Sequence, residues 1–337
     1  MKSRLHLAAA LSLAASLTAF ADIKVNDHLS IGGYVAASYE NQSLKPGASY
    51  DSLFNGAKST PSADAIKTTF TTEFKPVTGV VSLFYIPNLP ANELSILDAY
   101  VAYDAGGGTT LTAGKFLSYL GYEAFDPTNM NQITYGAVTV GTLGAIPAYH
   151  SGAKIDYADK TFGAGFAIVD SIYSPNGFAK GDGELRDNAG FEGYVKSTAV
   201  TDLTLWAGFA YDTKGGFQPH SVFAVDLWAE YAVSKQSTLA AEYCNKNGGP
   251  LSKGYTWLAY YKYAVDKQIA WVFRLSGEKL SESTKKTGAQ EFMQYTIGPS
   301  FTVTDNLSLR AEYSYYDYSG KGLSSKSLFG LQGIFKF

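Results

Sequence analysis

The last eleven residues read Ser327-Leu328-Phe329-Gly330-Leu331-Gln332-Gly333-Ile334-Phe335-Lys336-Phe337. Side chains alternate between the two faces of an extended chain, so Phe329, Leu331, Gly333, Phe335 and Phe337 share one face. A soluble domain usually ends in a frayed polar tail. A strand that runs to an aromatic final residue is expected instead where it pairs with the first strand, closes a barrel and removes both free edges.

The same period of two runs through the chain upstream. Leu307, Leu309, Ala311, Tyr313 and Tyr315 alternate with Ser308, Arg310, Glu312, Ser314 and Tyr316. Phe223, Val225, Leu227, Ala229 and Tyr231 alternate with Ala224, Asp226, Trp228 and Glu230, and Ile66 to Phe74 and Leu29 to Tyr39 behave alike. Each strand thus has one apolar face and one polar face, a pattern that a soluble sandwich would share.

The turns separate the two readings. Pro76-Val77-Thr78-Gly79, Asp104-Ala105-Gly106-Gly107, Ala158-Asp159-Lys160, Val200-Thr201-Asp202, Val233-Ser234-Lys235-Gln236, Val265-Asp266-Lys267 and Val303-Thr304-Asp305-Asn306 are short phrases with tight-turn chemistry. Between them lie longer polar loops, such as 41–63, 171–187, 212–219 and 279–289. Short turns at one end and long loops at the other are the asymmetry of a transmembrane antiparallel β-barrel, all-β, with periplasmic turns and extracellular loops. The segments 29–40, 64–75, 80–86, 94–103, 109–116, 149–157, 161–170, 188–198, 203–212, 220–233, 238–245, 255–263, 268–278, 291–302, 307–317 and 327–337 make about sixteen strands. Most are near the length that a tilted strand needs to cross a membrane. Segment 80–86 is short, and 109–116 places Lys115 on its apolar side. Tyr39, Tyr103, Tyr157, Tyr211, Tyr231, Tyr243, Tyr263 and Tyr315 fall near segment ends, where aromatic girdles sit.

Composition agrees. Of 337 residues 46% are hydrophobic and only 17% charged, and Gly and Tyr are abundant, which favours strands over charged helices. The net charge of −3 argues against a nucleic-acid partner, and the single Cys244 excludes a disulfide framework. Lys2 and Arg4, the apolar stretch from Leu5 to Leu17, and Ala19-Phe20-Ala21 form a secretory signal peptide over 1–21. The barrel then occupies 22–337, and no stretch in it is long and apolar enough for a spanning helix.

The longest connection, 117–148, separates the fifth and sixth strands. It is poor in charge and rich in apolar and aromatic residues, so it needs a surface to pack on, and the barrel's interior wall is the nearest. Folded inward it would narrow the pore, with Tyr122, Glu123 and Asp126 as the constriction. Packing over the outer mouth or on a neighbouring subunit is the alternative.

Leu97-Asp98-Ala99-Tyr100, Gly114-Lys115-Phe116, Gly121-Tyr122-Glu123 and Ala145-Ile146-Pro147-Ala148-Tyr149-His150-Ser151-Gly152 resemble the OmpL-like putative β-barrel porin family. The resemblance implies a bacterial outer-membrane diffusion channel, and general porins of sixteen strands place their constricting loop between the fifth and sixth strands. The final segment, with Phe335 and Phe337, also resembles the signature by which the barrel assembly machinery recognises its clients. The expected partners are therefore outer-membrane lipid, that machinery and small hydrophilic solutes; a homotrimer is compatible with the sequence, which does not decide it.

On the inward face the alternation places Lys67, Lys75, Lys154, Lys196, Lys262, Arg274, Arg310 and Lys336 against Glu73, Asp156, Glu192, Asp226, Glu230, Glu242, Glu278 and Glu312. Lys67, Glu73, Lys154, Arg274, Arg310 and Glu312 are the candidate pore-lining set. The two lists nearly balance, so ion preference does not follow. Charges this dense are costly to bury dry, which favours a water-filled lumen over one plugged by cross-strand pairs. No enzyme is expected, because His150 and Ser151 are consecutive on a strand and face opposite ways, and no cofactor or metal motif is present. The expected function is passive diffusion of small hydrophilic solutes or ions. The alternative is a plugged structural barrel that binds a partner through its long loops.

Overall fold

The computed structural model describes residues 22–43, 61–86, 94–123, 125–173, 185, 188–214, 220–250, 252–286, 289–319 and 325–337. The expected signal peptide at 1–21 and parts of the long loops lie outside these residues. Sixteen long strands are present: β1 Leu29–Ser43, β2 Ser62–Phe74, β3 Val77–Tyr85, β4 Leu94–Gly106, β5 Thr109–Leu117, β6 Tyr149–Ala158, β7 Phe162–Val169 and β8 Gly190–Ser197. They continue as β9 Leu203–Asp212, β10 Val222–Ala232, β11 Ser237–Asn247, β12 Lys253–Ala264, β13 Ile269–Leu280, β14 Glu291–Thr302, β15 Leu307–Ser319 and β16 Lys326–Lys336. Each pairs antiparallel with its sequence neighbour, and β16 pairs with β1 from Ser327↔Ser43 to Lys336↔Tyr34, which closes the barrel. Phe337 finishes the closure: its N–H donates to the Gly33 carbonyl at 3.0 Å and its carbonyl accepts from the Gly33 N–H at 2.8 Å. A short strand Ile23–Lys24 lies against Ile31 and Ser30 of β1.

The short turns share one device. Asp159 Oδ1 accepts from the N–H groups of Thr161 and Phe162, both at 2.8 Å. Ser234, Asp266 and Thr304 accept in the same way from the residues two and three further on. A short polar side chain at the turn entrance satisfies two N–H groups that the ladder cannot reach. In Asp159 those donations, first from Thr161 and then from Phe162, hold the carboxyl below its ordinary range. Gly106, Gly107 and Gly108 all take positive φ between β4 and β5, a conformation that only glycine adopts without strain.

One local reading of the sequence is corrected and another holds with a compensating contact. The turn expected at 76–79 is tighter, because Val77 and Gly79 already pair with Phe74 and Thr72, so the short third segment begins at Val77 instead of 80. Lys115 does face outward, and its ammonium donates to the Ile96 carbonyl at 2.8 Å. The β3–β4 register slips at this level, between Val81 and Leu83, so the irregular backbone lies where the outward charge finds a polar partner.

Elsewhere the outer face is apolar. Val101, Leu111, Ile155, Phe166, Leu205, Leu227, Leu239, Phe273, Ile297 and Leu331 are all large and exposed. Tyr103, Tyr157, Tyr231 and Tyr263 ring the short-turn end, and Tyr211, Tyr243 and Tyr315 ring the other end, all outward. The inward face carries the buried polar set, including Glu192, Asp226, Glu242, Arg274, Glu278, Arg310 and Glu312. A surface this apolar is stable only against hydrocarbon. Leu331→Arg places a charge in the middle of that belt and is expected to cost about 2–4 kcal/mol in urea titrations of the liposome-folded barrel. A loss below ~0.5 kcal/mol would contradict a lipid-facing position.

Candidate pore and its inward-folded loop

Residues 118–148 leave β5 at the long-loop end and turn into the barrel. Their neck is closed by the Ser118 N–H donating to the Ala148 carbonyl at 2.7 Å. Inside, little of the segment is regular among its described residues: a 3-10 turn at Pro127–Asn129 and one helical turn, α1, at Ala137–Val140. A backbone without a ladder of its own needs partners for each buried N–H and C=O, and those partners come from the wall.

Carboxylates of the wall accept the N–H groups. Glu192 on β8 accepts from the Ser118 hydroxyl at 2.6 Å and from the Tyr119 N–H at 3.2 Å. Asp226 on β10 accepts from the Gly121 N–H at 2.9 Å, and Glu242 on β11 from the Tyr122 N–H at 2.8 Å. Gly121 has φ +108°, and that reversal lets two consecutive N–H groups aim at neighbouring strands. Glu278 on β13 accepts from the N–H groups of Thr142 and Leu143, each at 3.1 Å. Glu312 on β15 accepts from the N–H groups of Ile133 at 2.5 Å and Thr134 at 3.0 Å, and from the Thr134 hydroxyl at 2.5 Å.

Cations of the wall donate to the carbonyls and acids of the loop. Arg274 Nη1 lies 2.5 Å from Glu123 Oε1 and 2.6 Å from the Thr134 carbonyl. Glu123 in turn accepts from the Gly136 N–H at 2.6 Å and from Gln132 Nε2 at 2.7 Å. Lys67 on β2 lies 3.2 Å from Asp126 and 3.7 Å from Asp98, while Asp126 also caps the 3-10 turn by accepting from Thr128. Lys246 on β11 donates to the carbonyls of Leu143 at 3.1 Å and Gly144 at 2.8 Å. Arg310 donates to the Gln132 carbonyl at 3.3 Å, and Lys336 to the Thr128 carbonyl at 3.4 Å. Within the loop, the Tyr135 hydroxyl donates to the Phe125 carbonyl.

Aromatic contacts fill the gap on one side. Tyr119 packs on Tyr194 at 4.7 Å between centroids, Tyr194 stacks on Trp206 at 5.9 Å and Trp206 on Trp228 at 5.8 Å. Tyr122 meets both Trp228 and Tyr260 edge-on. The Tyr122 hydroxyl donates to Glu230 at 2.6 Å; burial and that carboxylate together keep its phenol well above the ordinary value, so it stays a neutral donor.

The structure therefore places all three constriction candidates, Tyr122, Glu123 and Asp126, inside the barrel. The two acids are tied into ion pairs with Arg274 and Lys67 instead of facing water alone. Of the candidate lining residues, Arg274 and Glu312 lie buried beneath the loop. Lys154 sits partly exposed beside Asp156 at 3.6 Å, over the Phe116 and Tyr119 rings. Glu73 lies at the short-turn end of β2, exposed. Sequence reasoning placed Glu192, Asp226, Glu242 and Glu278 inward but not as anchors of the loop, and it missed Lys246, because β11 continues two residues past the expected end at 245. His150 and Ser151 do face opposite ways: His150 is buried 3.3 Å from Glu192, whereas Ser151 pairs with the outward Lys115. Among the described residues no group of three or more His, Cys, Asp or Glu is placed to hold a metal.

A family model described as putative beta-barrel porin-2, OmpL-like, matches residues 28–337, and the chain belongs to that family. No curated protein sequence matches it. Among solved structures, the outer membrane channel DcaP of Acinetobacter baumannii is similar with a TM-score of 0.64 at 12% identity, over 94% of this chain and 99% of that one. OprB of Pseudomonas putida, in a high-pH structure, gives 0.64 at 12% identity over 92% of this chain and 94% of that one. An anion-selective porin from Comamonas acidovorans gives 0.60 at 11% identity over 92% and 99%. Likeness at such identities shows the fold, a closed sixteen-stranded outer-membrane barrel. Family and fold together point to a channel in the outer membrane rather than to an enzyme.

Glu312→Ala removes at once the acceptor of three donors from the loop and of the Ser314 hydroxyl. The Ile133 and Thr134 amides are expected to lose roughly tenfold to a hundredfold of their hydrogen-exchange protection, the equivalent of one charge-assisted bond. Unchanged protection at both amides would show that the wall does not hold this arm.

Proposed function

With membership of a porin family as the premise, we propose that the barrel is a passive diffusion pore for small hydrophilic solutes or ions, and that residues 118–148 are its filter. The observation that carries this is the inward loop, bonded at both its N–H and C=O groups to strands around the wall. A loop pinned at so many points narrows the lumen at a fixed height, while partly exposed inward side chains such as Lys67, Thr69, Glu230 and Lys262 keep a polar path beside it. Fixed polar groups around a narrow wet path sort solutes by size and charge without energy input. The paired acids Glu123 and Asp126 shape this constriction more than they charge it.

Two further parts belong to the same reading. The segment 1–21 directs export, and Phe335 and Phe337 at the closing strand present the barrel to the assembly machinery. No hydrolytic role is assigned: Ser151, next to His150 in sequence, points to the opposite face, and the Ser118 hydroxyl donates to Glu192 at 2.6 Å.

Deletion of 122–134 tests the filter. Liposome swelling with sugars of increasing size is expected to speed up severalfold and to extend to larger sugars in the deletion variant. A size limit that stays where it is in the intact barrel would remove the filter from the account.

A further inference from the structure

Among the described residues five wall carboxylates hold amides of the segment 118–148, and two of them adjoin each other. Asp226 on β10 pairs with Cys244 and Glu242 on β11 pairs with Trp228, so the two acids are diagonal neighbours on the inward face. Both are buried, at 0% and 4% exposure. They take consecutive amides: Asp226 Oδ2 accepts from the Gly121 N–H at 2.9 Å, and Glu242 Oε1 from the Tyr122 N–H at 2.8 Å. The two carboxyl groups also lie within hydrogen-bonding reach of each other. Asp226 Oδ1 is sealed from solvent and meets no N–H or hydroxyl donor.

No cation compensates the pair: neither carboxyl forms an ion pair among the described residues. On β11 the buried Cys244 carries no positive charge, and Lys246 donates to the Leu143 and Gly144 carbonyls and lies over the Tyr173 ring at 4.1 Å. On β10, Glu230 accepts from the Tyr122 hydroxyl, and in the loop Glu123 is paired with Arg274. On β9, Gly208 stands opposite Asp226, while Asp212 further along accepts from the Ser171 hydroxyl and the Ile172 and Tyr173 amides. On β12, Leu258 stands opposite Glu242. Two ionised carboxylates in contact, buried and without a counter-ion, are far less stable than one carboxylate bonded to one carboxylic acid. A single proton shared by the pair removes the repulsion and gives Asp226 Oδ1 the donor it lacks.

We propose that Asp226 and Glu242 form a proton-binding site that locks the first arm of the loop to the wall and releases it at alkaline pH. With the proton in place, the two amides and the bond between the carboxyls are satisfied together. When rising pH removes it, two like charges face each other, and the pair relaxes by parting or by admitting water. Either change frees Gly121 or Tyr122 from its acceptor. The lock is therefore complete at low pH and lost as pH rises. The arm it holds carries Tyr122 into the constriction, so its bearing on permeation rests on the diffusion-pore reading, whereas the lock itself does not.

Hydrogen exchange of the folded barrel at acid, neutral and alkaline pH tests it, with each amide's rate referred to its intrinsic rate at that pH. In the intact chain the Gly121 and Tyr122 amides are expected to lose about tenfold of their protection towards alkaline pH, the equivalent of one hydrogen bond. The Ile133 and Thr134 amides on Glu312 are the internal reference and are expected to hold. Glu242→Gln keeps an acceptor for Tyr122 and gives Asp226 a permanent N–H donor, so protection at both amides should stay high at every pH. Asp226→Asn makes the same exchange from the other side and serves if the Gln variant does not fold. Protection that ignores pH in the intact chain would overturn the lock and leave the pore standing. So would an equal loss at Ile133 and Thr134, or a pH response that persists in a folded Gln or Asn variant. A response confined to Gly121 and Tyr122 in a barrel that gives no current steps in a planar bilayer would keep the lock and overturn the pore.

Discussion

A carboxylate on the wall accepting a backbone N–H from the loop is the contact on which this molecule's interior depends. Residues 118–148 have almost no secondary structure, so their peptide groups would be orphaned wherever water is excluded. Leaving one such group unpaired costs about 1–3 kcal/mol, and the segment has many. Glu192, Asp226, Glu242, Glu278 and Glu312 answer the N–H groups, and Lys246, Arg274 and Arg310 answer the carbonyls. The polar inner face of the barrel is thus a receptor for its own loop before it is a lining for anything else.

That arrangement constrains the rest. The anchors sit on β8, β10, β11, β13 and β15, so the loop is held across much of the circumference and cannot swing out without breaking contacts on several strands together. Registry matters as well: a slip by one residue would turn every anchor to the lipid face. Closure through β16 and β1 fixes that registry from both ends, and Gly33 with Phe337 completes it. The outer belt and the inner anchors are therefore two consequences of one alternation.

Much of this was legible in the sequence. Period-two patterning located all sixteen strands, and the short Asp, Ser and Thr phrases marked the turns because those side chains cap the turn N–H groups themselves. The composition of 117–148 indicated an inward fold, since a segment with Leu120, Met130 and Tyr135 needs an apolar surface. The partners of the loop were not legible. Tyr122 meets Glu242, 120 residues away, and Glu123 meets Arg274, 151 residues away. Such pairs depend on strand tilt and barrel circumference, which alternation does not encode. Counting inward charges also says little of their availability: acids and bases nearly balance in number, but Glu192, Asp226, Glu242, Glu278 and Glu312 are engaged by the loop.

The central claim is that a wet path remains beside a loop pinned within the barrel. Single-channel recording of the folded chain in a planar bilayer at high potassium chloride tests it most directly. The expected result is discrete, long-lived current steps, smaller than those of a sixteen-stranded barrel without an inward loop. Protein shown to be folded and inserted that gives no steps at all would contradict the claim and make the loop a plug.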